Sequence, residues 1–131
     1  MSEWPFTVEI PVQWRDLDAL GHVNNAVYLS YLETARVRLW HERMGGRDAR
    51  DIPFVVARVE IDYRRSIELG QRVTVAIRCD AIGRSSFTIS YRITADGLPC
   101  AEARSVQVCI DREGNTIPVP EPMRSALESI R

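Results

Sequence analysis

Lysine is absent from this chain: all 17 basic residues are arginine. Each cationic contact is therefore a planar guanidinium, suited to gripping phosphate through paired N–H groups. A genome-wide coding bias gives the same composition, so the arginines gain meaning only from where they fall. Cysteine is scarce too. Cys79, Cys100 and Cys109 form an odd set without CxxC spacing, which argues against a disulfide framework or a zinc knuckle. Cys79 and Cys109 fall within predicted strands, where cysteine behaves as a small buried hydrophobe. The two histidines, His22 and His41, lie 19 residues apart and define no metal-ligand set. No apolar run approaches the roughly 20 residues of a membrane span. The opening MSEWPFTVEI has neither the basic nor the apolar region of a signal peptide, so a cytoplasmic protein is expected.

A net charge of −1 gives no bulk attraction to nucleic acid or to an anionic membrane, and neither partner is expected. The 131 residues fit one domain, 1–131. A chain of that length buries roughly two-thirds of its unfolded surface and needs no staples.

Phe6, Val8, Ile10, Val12 and Trp14 alternate with polar or small residues, as in a half-buried strand. Pro11 cannot donate to a ladder and places that strand at an edge or a bulge. Residues 15 to 23 read as a loop. From about Asn24 to Met44 the period becomes helical, with Tyr28, Tyr31, Leu32, Ala35 and Leu39 in one stripe. Val27, Leu29, Val37 and Trp40 widen that stripe, so the helix should be largely enclosed. Gly45-Gly46 ends it in the left-handed conformation open to glycine.

Four further strands follow. The first alternates Val55, Ala57, Val59, Ile61 and Tyr63 against Val56, Arg58, Glu60, Asp62 and Arg64. The next holds Val73 to Cys79 after a turn at Leu69-Gly70, and another holds Phe87 to Ile93, entered through Gly83. The last runs from about Cys100 to Ile110 after an Asp96-Gly97 turn. Pro120 to Ile130 predicts a short helix with Pro122 in its first turn. The fold class is α+β: a curved five-stranded antiparallel sheet wrapped around one long helix.

The stretch Trp14 to Arg36, WRDLDALGHVNNAVYLSYLETAR, is the densest in chemistry. Each polar residue has a plain reading. Asp16 and Asp18 form turns, Asn24 or Asn25 caps a helix, and His22 is a satisfied half-buried histidine. Together they exceed what one turn and one cap need. A carboxylate can act as nucleophile or general base, and a helix start gathers free N–H donors and positive dipole, suited to an oxyanion. No serine or cysteine precedes the helix in this stretch, so no Ser–His–Asp arrangement is suggested.

The string DxDxxGHVNNxxY, from Asp16 to Tyr28, with Tyr31, Glu33, Ala35 and Arg36 beyond it, resembles the hotdog-fold acyl-CoA thioesterases. Within them it resembles the 4-hydroxybenzoyl-CoA thioesterase group. The resemblance covers nearly the whole chain, since the element order also matches the hotdog fold. It implies that Asp18 is the catalytic carboxylate and that the Asn25 backbone N–H is the oxyanion donor. It gives His22 a supporting role and leaves Asp16 to organise the turn. It also places Arg64-Arg65-Ser66 and the Arg84-Ser85 turn on the coenzyme A side, although a solvated charged turn explains any one of these arginines equally. Tyr28, Tyr31 and Trp40 are candidates for the acyl pocket, against a plain reading as core. Some hotdog enzymes use a helix glutamate; Glu33 lies about 140° around the helix from Tyr28, at roughly 100° per residue, and reads as structural or interface-facing.

The implied activity is hydrolysis of an acyl-CoA thioester without cofactor or metal, in a homodimer or homotetramer. The alternatives are an acyl-acyl carrier protein thioesterase, with that acidic protein as partner, or a non-catalytic acyl-CoA-binding hotdog. A hydratase would need a different His/Asp or Tyr arrangement, which the sequence does not show.

Overall fold

A computed structural model describes residues 3–131, with only the backbone of Ala49. Met1 and Ser2, part of the segment read as lacking a targeting signal, lie outside the described residues. Strand β1 (Phe6–Pro11) leads through a 3-10 turn at Trp14–Asp16 to helix α1 (Val27–Arg43). Strands β2 (Phe54–Tyr63), β3 (Arg72–Ile82), β4 (Ser86–Ala95) and β5 (Leu98–Cys109) follow, and helix α2 (Glu121–Glu128) comes last. All five strands join one antiparallel sheet in the order β1-β3-β4-β5-β2. β1 is one edge, as its Pro11 requires, and β2 is the other. No helix among the described residues is long and apolar enough to cross a membrane.

The core lies between α1 and the inward face of the sheet. Tyr28, Tyr31, Leu32, Ala35, Leu39 and Trp40 of α1 are buried against Val73, Val75 and Ile77 of β3 and Ile89, Tyr91 and Ile93 of β4. The wider stripe expected of α1 is only half enclosed. Trp40 is buried, whereas Leu29 is 43% exposed. Gly45 takes φ +75° and stops the helix. α1 also starts later than its periodicity suggests, because Asn24 spends its groups on a turn described below.

β2 departs from the half-buried strand expected of it. Its partner strand is β5, and nearly every residue along it is exposed. Its register slips between Val56 and Arg58, so simple alternation fails there: a bulge residue adds one position and returns the next side chains to the same face. Val56 pairs with Gln107 and Val59 with Ser105, both inward-facing positions of β5. Val56 and Val59 therefore share the helix-facing side, where alternation alone would separate them.

A polar thread crosses the otherwise apolar core. Arg36 Nη1 donates to Tyr91 Oη at 3.2 Å, which sits 2.5 Å from Ser105 Oγ. Ser105 Oγ in turn donates to Gln107 Oε1. The Gln107 amide donates to the Phe87 carbonyl at 3.2 Å. Tyr91, Ser105 and Gln107 are all fully or almost fully buried, and each is paired, as burial demands. The three cysteines are buried free thiols.

Candidate functional site

The loop ahead of α1 is a small self-bonded structure. Asp16 Oδ2 accepts from the Gln13 N–H and from the Tyr31 hydroxyl, both at 2.9 Å. The Asn24 N–H donates to the Asp16 carbonyl at 2.9 Å. Asp16 thus ties both ends of the loop to the helix, the structural role read for it. Burial and the Asp16 carboxylate together push the Tyr31 phenol well above its ordinary pKa.

Between these anchors the chain reverses tightly. The Asp18 N–H donates to the His22 carbonyl at 2.8 Å, and the Gly21 N–H donates to the Asp18 carbonyl at 3.0 Å. Gly21 holds φ +80°, a conformation that glycine adopts without steric cost. Asp18 Oδ1 accepts from the Leu20 N–H at 2.9 Å and the His22 N–H at 3.3 Å. One oxygen of the carboxylate is therefore anchored, and the other, Oδ2, has no hydrogen-bond partner among the described residues.

A second segment closes on this turn. The Val23 N–H donates to the Ile67 carbonyl at 2.8 Å, and His22 bridges to Glu68, with Nε2 3.9 Å from Oε1. That pairing carries Arg64, Arg65 and Ser66 to the same place. Arg64 approaches Glu102 at 3.6 Å. Arg65 makes no ion pair among the described residues.

The helix start supplies donors. Asn24 Oδ1 accepts from the Ala26 N–H and the Asn24 carbonyl accepts from the Val27 N–H, each at 2.9 Å. The Asn25 N–H has no acceptor among the described residues, and no acidic side chain sits in the first turn to offset the dipole. Tyr28 is buried, donates to the Arg65 carbonyl at 3.4 Å, and is pushed up to about 12, mainly by that burial.

The result is an open cleft of about 360 Å³ that brings Asp18, His22, Asn25 and Tyr28 together with Arg64, Arg65 and Ser66. Tyr63 also lines it, although its sequence pattern marks it only as a member of the strand. Its one signal is its place, directly before Arg64. Arg84 and Ser85 lie elsewhere, in the β3–β4 turn. β4, ten residues long, separates that turn from the cleft by roughly 30 Å. Within one chain they do not belong to the cleft. Glu33 is exposed in a separate hollow with Leu29, Arg36, Val56 and Val59. Among the described residues no group of three or more His, Cys, Asp or Glu side chains is placed to hold a metal ion.

A long helix cradled by a curved antiparallel sheet is the hotdog fold. Residues 12–127 match the thioesterase-like superfamily, and the chain belongs to it. Among its relatives is the long-chain acyl-CoA thioesterase FadM of Escherichia coli K12, 34% identical over 79% of this chain and 81% of that one. Another is the 1,4-dihydroxy-2-naphthoyl-CoA hydrolase of Synechococcus elongatus, 28% identical over 89% of this chain and 90% of that one. A thioesterase of Thermus thermophilus, crystallised with coenzyme A and Zn, superposes with a TM-score of 0.90 at 42% identity, covering 99% of this chain and 96% of that one.

Proposed function

We propose that this chain hydrolyses acyl-CoA thioesters, with Asp18 as the catalytic carboxylate and the Asn25 backbone N–H as oxyanion donor. The observation that carries the reading is the pairing, in one cleft, of a carboxylate anchored through one oxygen and a helix-start N–H without an acceptor. Asp18 acts on the thioester carbonyl in one of two balanced ways. As general base it takes a proton from water while the water oxygen bonds to the carbonyl carbon; the C–S bond then breaks and Asp18 returns the proton to the thiolate. As nucleophile its oxygen bonds to the carbon and expels the thiolate, and water then cleaves the resulting anhydride. In both routes negative charge collects on the carbonyl oxygen, where the Asn25 N–H and the helix dipole stabilise it. The leaving thiol has a pKa of roughly 8.5 or above, so a strong general acid is not required.

His22 supports the turn through its main chain and faces Glu68. Arg64, Arg65 and Ser66 are assigned to the nucleotide end of coenzyme A, whose phosphates suit guanidinium donors. Asp18 and Asn25 are exposed in the single chain, where water screens the field that catalysis needs. A second copy closing over the exposed β2 edge and the open flank of α1 would exclude that water. It would also offer its own Arg84 and Ser85. The homodimer or homotetramer is part of this proposal.

The test is thiol release from short, long and aromatic acyl-CoAs by wild type and Asp18→Asn. A loss of a hundredfold or more is expected, about 3 kcal/mol of transition-state stabilisation. Undiminished turnover by folded Asp18→Asn would sink the mechanism. Acyl-CoA binding without thiol release from any substrate would favour a binding protein, and faster turnover of matched acyl-acyl carrier protein would move the substrate to that carrier.

A further inference from the structure

We propose that Tyr63 is a positioning residue for the oxyanion donor, acting on the Asn25 backbone from the end of β2. The inference rests on the thioesterase reading above. Two peptide units meet at the Asn25 Cα: the Asn25 N–H belongs to the first, and the second constrains it through the φ and ψ angles at that Cα. In the unit before it, the Asn24 carbonyl accepts from Val27 N–H at 2.9 Å. No cis peptide bond is present among the described residues, so the Asn25 N–H points away from that carbonyl, in the same plane but the opposite direction. In the unit after it, the Ala26 N–H is held by Asn24 Oδ1 at 2.9 Å and the Asn25 carbonyl accepts from the Tyr63 hydroxyl at 2.8 Å.

Of these four groups, the Asn24 carbonyl and the Ala26 N–H are held from within the helix start itself, and the Asn25 N–H is left open. The remaining bond, to the Asn25 carbonyl, comes from a residue 38 positions away in sequence, on a different element. It matters because the capping position, Ala26, has no side chain able to cap, and helix ends without caps fray. The Tyr63 ring is itself braced, standing edge-on to the buried Tyr28 ring at 5.0 Å and 86°. The hydroxyl is thus presented by a fixed ring, which gives the bond directional authority over the Asn25 peptide. Tyr63 is nevertheless 45% exposed, and it contributes little to the core. A bond that the fold does not need for burial, aimed at the carbonyl beside the oxyanion donor, is best explained by what it does for that donor.

Tyr63→Phe keeps the ring and deletes the hydroxyl. Misplacement of a catalytic donor by about 1 Å costs up to a hundredfold, and loosening one peptide should cost less. The expected result is a fall in kcat of about tenfold, with KM for acyl-CoA and the melting temperature nearly unchanged. Asn24→Ala removes the other clamp on the same peptide unit, and its loss combined with Tyr63→Phe should fall short of the product of the single losses. Unchanged kcat in Tyr63→Phe overturns the proposal. So does a raised KM at constant kcat, which assigns Tyr63 to binding, or a kcat loss that tracks a lowered melting temperature, which assigns it to folding. Wild type is measured first on the acyl-CoA panel: if it releases no thiol, the thioesterase reading itself fails.

Discussion

Asp18 is presented by a turn whose closure depends on the residue three places on. Gly21 sits at φ +80° with no atom within 4 Å of where a Cβ would be, so a side chain there meets backbone strain and no clash. Gly21→Ala should cost about 1–2 kcal/mol of stability, read from urea unfolding. Arg65 makes no ion pair among the described residues, so Arg65→Ala should raise KM for acyl-CoA several-fold with kcat nearly constant, the signature of lost uniform binding. Burial pushes the Cys79 thiol up to about 11 and raises Cys100 and Cys109 as well. The folded chain should therefore resist iodoacetamide at pH 8, and unfolding should expose all three thiols to it. The residues of the turn were legible because they are neighbours in sequence. Tyr63 was not: a tyrosine in an alternating strand looks like core until the Asn25 carbonyl is seen beneath its hydroxyl.

Helix α1 shows what periodicity can and cannot tell. Its buried stripe follows the 3.6-residue repeat from Tyr28 to Leu39, and Gly45 ends it as expected. The second glycine has a different duty. A methyl on Gly46 would drive into the indole of the buried Trp40. Gly46→Ala should destabilise by about 1–3 kcal/mol, measurable as a lower melting temperature. The same division holds for β2. Its existence and composition were plain, but the bulge between Val56 and Arg58 was invisible, because an inserted residue leaves no mark on a pattern that merely slips by one. Arg64 to Ser66 reach the site through the Val23–Ile67 and His22–Glu68 pairings and the Tyr28 bond to the Arg65 carbonyl, contacts between segments that local pattern does not connect.

For the molecule as a whole, the open β2 edge and the exposed Val55, Val56 and Val59 set the expectation for assembly. Unpaired edges carrying apolar residues attract other strands. Val59→Arg should shift the chain toward monomer in light scattering after gel filtration, and activity should fall with it. An unchanged mass would remove β2 from the interface. Alkali should also act globally. Burial raises Tyr28 from 10.0 to about 12, and raises Tyr31 and Tyr91 too. A raised phenol stabilises the fold while it keeps its proton, fully below the unfolded value near 10 and less as pH climbs toward the folded one. Urea midpoints should hold to pH 9 and decline from pH 10 to 11.

The polar thread from Arg36 through Tyr91 and Ser105 to Gln107 has a consequence for how the sheet assembles. A slip of one residue between β4 and β5 turns every side chain to the other face and is penalised by the apolar pattern alone. A slip of two keeps the apolar face inward, and here it separates Tyr91 from Ser105 and Gln107 from the Phe87 carbonyl. A buried polar group left unsatisfied costs about 1–3 kcal/mol. Misaligned pairings are thereby penalised where the apolar pattern alone is blind to them, and the thread helps to set the register of β4 against β5.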